Sequence, residues 1–318
     1  MSASAISIDE VRAAAGRLLP FAQRTPVQTC ATISRLAGRE VYFKCELFQK
    51  VGAFKFRGAC NAVMKLSAAE ANRGVVTQSS GNHGQALALA AKLRGIPAHI
   101  VMPSNTSAAK INAVREYGAR VILCEPTLQS REATVEQVTK ETGGIYIPPY
   151  NQRDVIAGQG TVALEFLEQV SALEAIIAPV GGGGLLSGIC VAAKAIKPGI
   201  RIFAGEPAGA DDASRSKRAG KLLPQTSPET MADGLRTSLG DLTWPFVRDE
   251  VEQVFTVAED AIARTMRLMW ERAKLMIEPS SAVAVAAVLS DEFKALPGLS
   301  RVGIVLSGGN VDLDHLPW

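Results

Sequence analysis

The sequence predicts an α/β protein in which parallel sheets are covered by helices. Three observations carry this reading. Short β-branched and apolar runs alternate with Ala- and Leu-rich helical runs along nearly all of the 318 residues, the pattern of βαβ units. Several strand-like runs lead straight into Gly- or Ser-rich loops, where open α/β sheets bind ligands beyond the carboxyl ends of their strands. Hydrophobic residues make up 47% and charged residues 20%, so a packed core is expected rather than disorder. At ~150 residues per domain the length suits two domains, or one large domain with a satellite.

The elements follow in order. Residues 41–45 are a short β-type run. Residues 75–77 form another, which stops at the loop Ser79-Ser80-Gly81-Asn82-His83-Gly84. Residues 85–93 are helical and closed by Gly95-Ile96-Pro97. A strand at 98–102 ends at Pro103, a helix at 108–117 is capped by Gly118, and a strand occupies 119–124. A helix at 130–142 ends at Gly143-Gly144. The strand 175–180 runs into Gly181-Gly182-Gly183-Gly184, and a helix begins at Leu185. The strand 200–204 runs into Glu206. A long helix is expected over 258–275 and a shorter one over 281–289. The last strand, 302–306, runs into Ser307-Gly308-Gly309-Asn310.

Composition removes several classes of function. Net charge is +3 and no run of Lys and Arg occurs, which argues against nucleic acid. The longest clean apolar stretch, 282–289, is far short of the ~20 residues of a membrane span. The first 20 residues carry Asp9, Glu10, Arg12 and Arg17, so no secretory signal core is expected. Five widely spaced cysteines without a C-x-x-C pair read as reduced, buried thiols of a cytoplasmic protein.

The loops carry the chemistry. Consecutive glycines at 181–184 bare their backbone N–H groups at a helix start, an anion cradle most often used for phosphate; a tight strand-to-helix turn is the plainer reading. Gly182-x-Gly184 with Glu206 further on also suggests a dinucleotide site, although Ser187 stands where a third glycine belongs. The loop 79–84 offers hydroxyls, an amide and N–H groups suited to a carboxylate, and His83 reads either as a base or as a structural residue. Lys55, in Gly52-Ala53-Phe54-Lys55-Phe56-Arg57-Gly58, is either a desolvated nucleophile or a snorkelling surface lysine.

Taken together, Phe54-Lys55-Phe56-Arg57-Gly58-Ala59, Ser79-Ser80-Gly81-Asn82-His83-Gly84-Gln85-Ala86, Gly181-Gly182-Gly183-Gly184-Leu185 and Ser307-Gly308-Gly309-Asn310 resemble, in order and spacing, the fold-type II pyridoxal-phosphate (PLP) enzymes. Within these the chain is similar to the serine/threonine dehydratase branch, closest to the serine racemases. Cys45-Glu46-Leu47-Phe48-Gln49-Lys50, Ala157-Gly158-Gln159-Gly160 and Ile277-Glu278-Pro279 match as well, and the similarity runs from about Thr25 to Asp312.

The resemblance implies two parallel-sheet domains of the tryptophan-synthase-β-like fold: a large PLP-binding domain from 1–73 plus 148–318, and a small substrate-carboxylate domain at 74–147. It implies Lys55 as the Schiff-base lysine, Phe54 beside the cofactor ring, Asn82 on the ring hydroxyl, Ser307 facing the pyridine nitrogen, and Gly181, Gly182, Gly183, Gly184 and Leu185 around the phosphate. Ser79, Ser80, Gly81, Asn82 and His83 would take the substrate carboxylate, and Ser80 would be an acid/base on the face opposite Lys55. Glu206, the Ala210 carbonyl and Asp212 would hold Mg²⁺, Mn²⁺ or Ca²⁺, for which oxygen ligands are suited. ATP is implied only in part: Gln85 and Tyr117 match an interfacial nucleotide site, whereas Cys30-Ala31-Thr32 and Val51 depart from it. A homodimer is implied. The expected reaction is dehydration of a β-hydroxy amino acid such as serine to a 2-oxo acid and ammonia, with serine racemisation. A 3-hydroxyaspartate dehydratase is the alternative, with Arg57 or Arg131 meeting the second carboxylate. A nicotinamide dehydrogenase and a silent PLP-binding regulator are the readings from other classes.

Overall fold

A computed structural model describes residues 6–318. Ten strands are described: β1 (Val27–Thr29), β2 (Glu40–Cys45), β3 (Val75–Gln78), β4 (Ala98–Pro103), β5 (Arg120–Cys124), β6 (Ile145–Tyr146), β7 (Ala175–Pro179), β8 (Arg201–Pro207), β9 (Gln253–Val257) and β10 (Arg301–Leu306). They form a six-stranded sheet in the order β1-β2-β10-β7-β8-β9 and a four-stranded sheet in the order β5-β4-β3-β6. All pairings are parallel except β1 with β2. The central strands β7 and β10 are apolar on both faces and buried almost throughout, as parallel strands covered on both sides must be.

The six-stranded sheet has one core on each face. The helix Pro279–Leu289 lies in one of them and is buried nearly all round. It packs so closely on β8 that a Cβ at Gly205 would come within 3.1 Å of the Ala284 Cα. The helices Arg153–Gln169 and Gly184–Ile196 cover the other face. The helix Lys55–Lys65 precedes the four-stranded sheet in the chain, yet its Phe56, Ala59, Cys60 and Val63 share a core with Leu87 and Ile100 of that sheet's layer. It therefore sits at the seam between the two sheets.

Two expectations change. The helix expected over 258–275 is α-helical only over Glu259–Leu268, continues as a π-helical turn over Met269–Ala273, and stops at Lys274, whose φ is +57°. The indole Nε1 of Trp270 donates to the Ile277 carbonyl at 3.0 Å, which folds the chain back and ends the helix. The loop expected at 79–84 is shorter, because Asn82 and His83 already belong to the first turn of the helix Asn82–Arg94. Among the described residues no helix is long and apolar enough to cross a membrane.

Candidate active site

The loops singled out by sequence converge through direct contacts. Ala53 bridges to Gly308, Phe54 N donates to the Ser307 carbonyl at 2.9 Å, and Gly309 N donates to the Gly52 carbonyl at 2.9 Å. The lysine loop and the last glycine loop are thus laced side by side. From the latter, Asn310 Nδ2 reaches Asn82 Oδ1 at 2.8 Å, which brings in the start of the helix Asn82–Arg94. The Lys55 amine donates to the Pro149 carbonyl at 2.8 Å, and the next residue, Tyr150, packs on Gly182 and Gly184.

Residues 147–151 act as a strap across these loops. The Ile147 carbonyl lies 3.0 Å from His83 Nε2, Pro149 holds Lys55, and Tyr150 covers the glycine loop. Asn151 Nδ2 donates to Asp241 Oδ1 at 2.6 Å and Asn151 Oδ1 accepts from Leu242 N at 3.1 Å. Nothing in the strap's own sequence announced this, since its partners lie on both sides of it in the chain.

The four glycines are required by their neighbours. A Cβ at Gly181 would meet the Leu235 Cα at 2.9 Å, one at Gly182 would overlap the Tyr150 ring, and one at Gly184 would meet the Tyr150 Cβ at 2.8 Å. Gly183 has φ +85° and faces Thr243, whose hydroxyl donates to the Gly182 carbonyl at 2.8 Å. Packing on these faces leaves the backbone amides at the start of the helix Gly184–Ile196, which have no partner within the helix, as the loop's polar offering. A phosphate fits there on amides and helix dipole.

Electrostatics separates the candidate groups. Burial pushes the Lys55 amine down to about 8, opposed by the charge of Glu278, and the Phe54 ring centroid lies 5.1 Å from its Nζ. Burial, reinforced by Lys55, drives His83 down to about 3. His83 is therefore neutral at physiological pH, and since a carbonyl only accepts, its proton is assigned to Nε2. The ring pins the loop to the strap, which favours the structural reading left open above. Ser307 is buried, and its hydroxyl is 3.0 Å from that of Ser281. Ser281 also bonds the backbone of Gly308, so the partner of the Ser307 hydroxyl is a second neutral hydroxyl and not a carboxylate. Ser79 Oγ accepts from Gly81 N at 3.3 Å, and Ser80 is half-buried between them.

The acidic loop lies behind the glycine loop. Glu206 and Asp212 are fully buried. The Glu206 oxygens accept from Ala213 N and Ser214 N at 2.9 Å each, and Asp212 Oδ2 accepts from Leu239 N at 2.8 Å. Burial pushes Glu206 up to about 8 and Asp212 up to about 6. Asp212 Oδ1 is buried with no hydrogen-bond partner. Two crowded acids and an orphaned oxygen, with buried Ala210 between them in the chain, fit a hard cation. Among the described residues no group of three or more His, Cys, Asp or Glu forms a metal cluster, so the set rests on two carboxylates and a carbonyl. Glu206 is fully buried and so is not presented to a ribose, which removes the support for a dinucleotide site.

One assignment is corrected. Arg57 does not face a substrate. Its guanidinium is buried, with Nε 2.7 Å from Glu46 Oε2 and Nη1 2.7 Å from Glu165 Oε1, so it has no donor pair left for a second substrate carboxylate. Glu278, named from sequence only as part of a matching stretch and given no role there, has a carboxylate that accepts from Asn82 Nδ2. An acidic residue directly before a Pro-initiated apolar helix was the available signal.

The comparisons with known proteins bear on this geometry. Residues 18–308 match the family model described as pyridoxal-phosphate dependent enzyme. The chain is 52% identical over 315 residues to a serine racemase of Arabidopsis thaliana, covering 98% of this chain and 95% of that one. It is 47% identical over 310 residues to a beta-hydroxyaspartate dehydratase of Paracoccus denitrificans, covering 98% of each. The solved structure of maize serine racemase superposes with a TM-score of 0.96 at 51% identity, covering 98% of this chain and 95% of that one. With the lysine, the glycine cradle and the neutral serine pair linked by the contacts above, these matches make the chain a member of the pyridoxal-phosphate dependent enzyme family.

Proposed function

We propose that this protein dehydrates β-hydroxy amino acids, serine above all, to a 2-oxo acid and ammonia, and that it also racemises serine. The observation that carries this reading is the pairing of a half-buried, pKa-lowered Lys55 amine with the neutral Ser307–Ser281 pair on the adjoining loop. Bound there, pyridoxal phosphate would supply the electron sink that weakens the substrate's Cα–H bond. The residues of the chain do the rest. Gly181 to Gly184 and Leu185 hold the phosphate, Phe54 packs beside the ring, and Asn82 meets the ring hydroxyl. Ser79 to His83 receive the substrate carboxylate at a helix N-terminus. The Lys55 amine takes the α-proton on one face, and Ser80 returns a proton on the other. Ser307, being neutral, imposes no proton on the ring nitrogen, which suits elimination and reprotonation.

Glu206, Asp212 and the Ala210 carbonyl hold Mg²⁺, Mn²⁺ or Ca²⁺, the set favoured by the orphaned Asp212 oxygen. The two domains divide at 74–147, with the lysine helix at the seam. The protein works as a homodimer, and its five buried free thiols suit the reducing cytoplasm. An ATP effect rests on Gln85 and Tyr117 alone and is expected to be weak.

A second reading, dehydration of 3-hydroxyaspartate, is favoured by the Paracoccus relative. It needs a cation other than Arg57, and Arg131 on the helix Leu128–Thr142 is the remaining candidate. A panel of L-serine, D-serine, L-threonine and the 3-hydroxyaspartate isomers decides between them. The expected result is the highest kcat/KM for L-serine, with both pyruvate and D-serine formed. Turnover of 3-hydroxyaspartate alone would overturn the serine assignment.

A further inference from the structure

Glu278 is the most constrained ionisable group near the cleft that the mechanism leaves unused. It is buried. Both its oxygens lie 3.1 Å from Asn82 Nδ2, and Oε2 also accepts from Asn310 N at 3.2 Å. A Cβ at Gly308 would come within 2.8 Å of the carboxylate, so the last glycine loop is shaped around it. At the other end of the Asn82 amide, Oδ1 accepts from Asn310 Nδ2 at 2.8 Å. Asn82 is thereby held in one orientation, its oxygen toward Asn310 and its amino group toward Glu278. That amino group carries two N–H bonds. The carboxylate engages one and leaves the other.

We propose that Glu278 is a positioning residue: it locks the Asn82 amide so that the remaining N–H meets the ring hydroxyl of pyridoxal phosphate, and its negative charge, once present, makes that hydroxyl keep its proton. The inference rests on the PLP reading of the cleft. The charged groups facing Glu278 come from three other elements. They are Lys55 on the lysine helix, Asp233 on the turn Asp233–Leu235, and Lys110 on the helix Ala108–Glu116, paired with Asp233 at 2.7 Å. Burial, with Asp233 adding to it, raises Glu278 to about 7, opposed by Asn82, the Asn310 amide and Lys110. As pH rises through that value the carboxylate becomes charged beside Asn82. A second negative charge on the nearby ring oxygen is then disfavoured. A ring hydroxyl titrating alone would do the opposite and lose its proton with rising pH.

The test uses the PLP-loaded enzyme and its absorbance. In the wild type the ~330 nm form should grow at the expense of the ~410–420 nm form as pH passes through about 7. Glu278→Gln should hold the ~410–420 nm form unchanged between about pH 6 and 8. A second measurement compares affinity for PLP with affinity for its 3-deoxy analogue. The wild type should favour PLP by ~10-fold or more, and the ratio should fall toward one in Glu278→Gln and in Asn310→Ala, which loosens the same amide from its other end. A wild type without the pH-7 transition overturns the charge effect with no mutant needed. An unchanged affinity ratio in both variants overturns the positioning role. A wild type that binds no PLP at all would instead sink the reading of the cleft on which the inference rests.

Discussion

Lys55 is the first residue of its helix, so its amine leaves the backbone at the point where the lysine loop meets the strap. Its lowered pKa of about 8 sets a direction. Below that value the amine is protonated and cannot accept the α-proton. The value of kcat should therefore rise with pH and level off above about 8. Lys55→Ala should remove the ~410–420 nm band of the loaded enzyme and lower turnover by ~10²–10⁴-fold, as read by spectrum and pyruvate release. Retained activity in that variant would exclude the assignment. Gly182 offers a second test at this scale, because a methyl there would overlap the Tyr150 ring. Gly182→Ala should weaken PLP binding by ~10-fold, an overpacking cost of ~1–3 kcal/mol, and adding Tyr150→Ala should recover part of it; fluorescence titration with PLP checks both. The lysine, the serines and the glycine string were legible as motifs because each is contiguous. The roles of Tyr150 and Glu278 were not, since they arise from residues 30 or more positions away.

At the scale of elements, the lysine helix is anchored by charge as well as by apolar packing. Arg57, two residues after Lys55, lies between Glu46 and Glu165, and Lys44 Nζ bonds Glu165 Oε2 at 2.7 Å and the Thr25 carbonyl at 2.8 Å. Two cations and two carboxylates thus tie β2, the lysine helix and the helix Arg153–Gln169 together. Breaking such a pair leaves uncompensated buried charge. Arg57→Met should cost ~3–5 kcal/mol in urea unfolding; a loss below ~1 kcal/mol would show the network to be dispensable. From sequence alone Arg57 read as a substrate cation, because residue type does not reveal which partners a fold supplies. The helix Ile8–Leu18, not among the elements expected from sequence, starts at a local signal, the capping box Ser7–Glu10, whereas the end of the helix at Leu268 depends on the non-local pull of Ile277 on Trp270.

Across the whole molecule, the two sheets meet where the cleft lies, and the acidic loop is joined to it mechanically. Asp212 holds Leu239 N, and Leu239 Cδ2 lies 3.0 Å from where a Gly183 Cβ would be. Since Glu206 and Asp212 are raised above ordinary carboxylates, the native state binds protons that the unfolded chain releases. Stability is present below the usual carboxylate range and is lost as pH rises through about 6 and then about 8. A cation bound on these oxygens would offset that loss. Mg²⁺ should therefore raise Tm more at about pH 8 than at about pH 5, and Asp212→Asn should abolish the difference; an equal response in the variant would place the cation elsewhere. The alternation of strands and helices announced the α/β class, and the Ser- and Gly-rich loops announced the cleft, because both signals are local. How the strap 147–151 holds three of those loops at once is a property of the closed fold. It also has a practical consequence. Because neighbouring residues of the protein, and not the ligand, dictate each glycine of the cradle, the mould persists while empty. A stripped preparation should accept its cofactor again by simple mixing, without passing through a denatured chain.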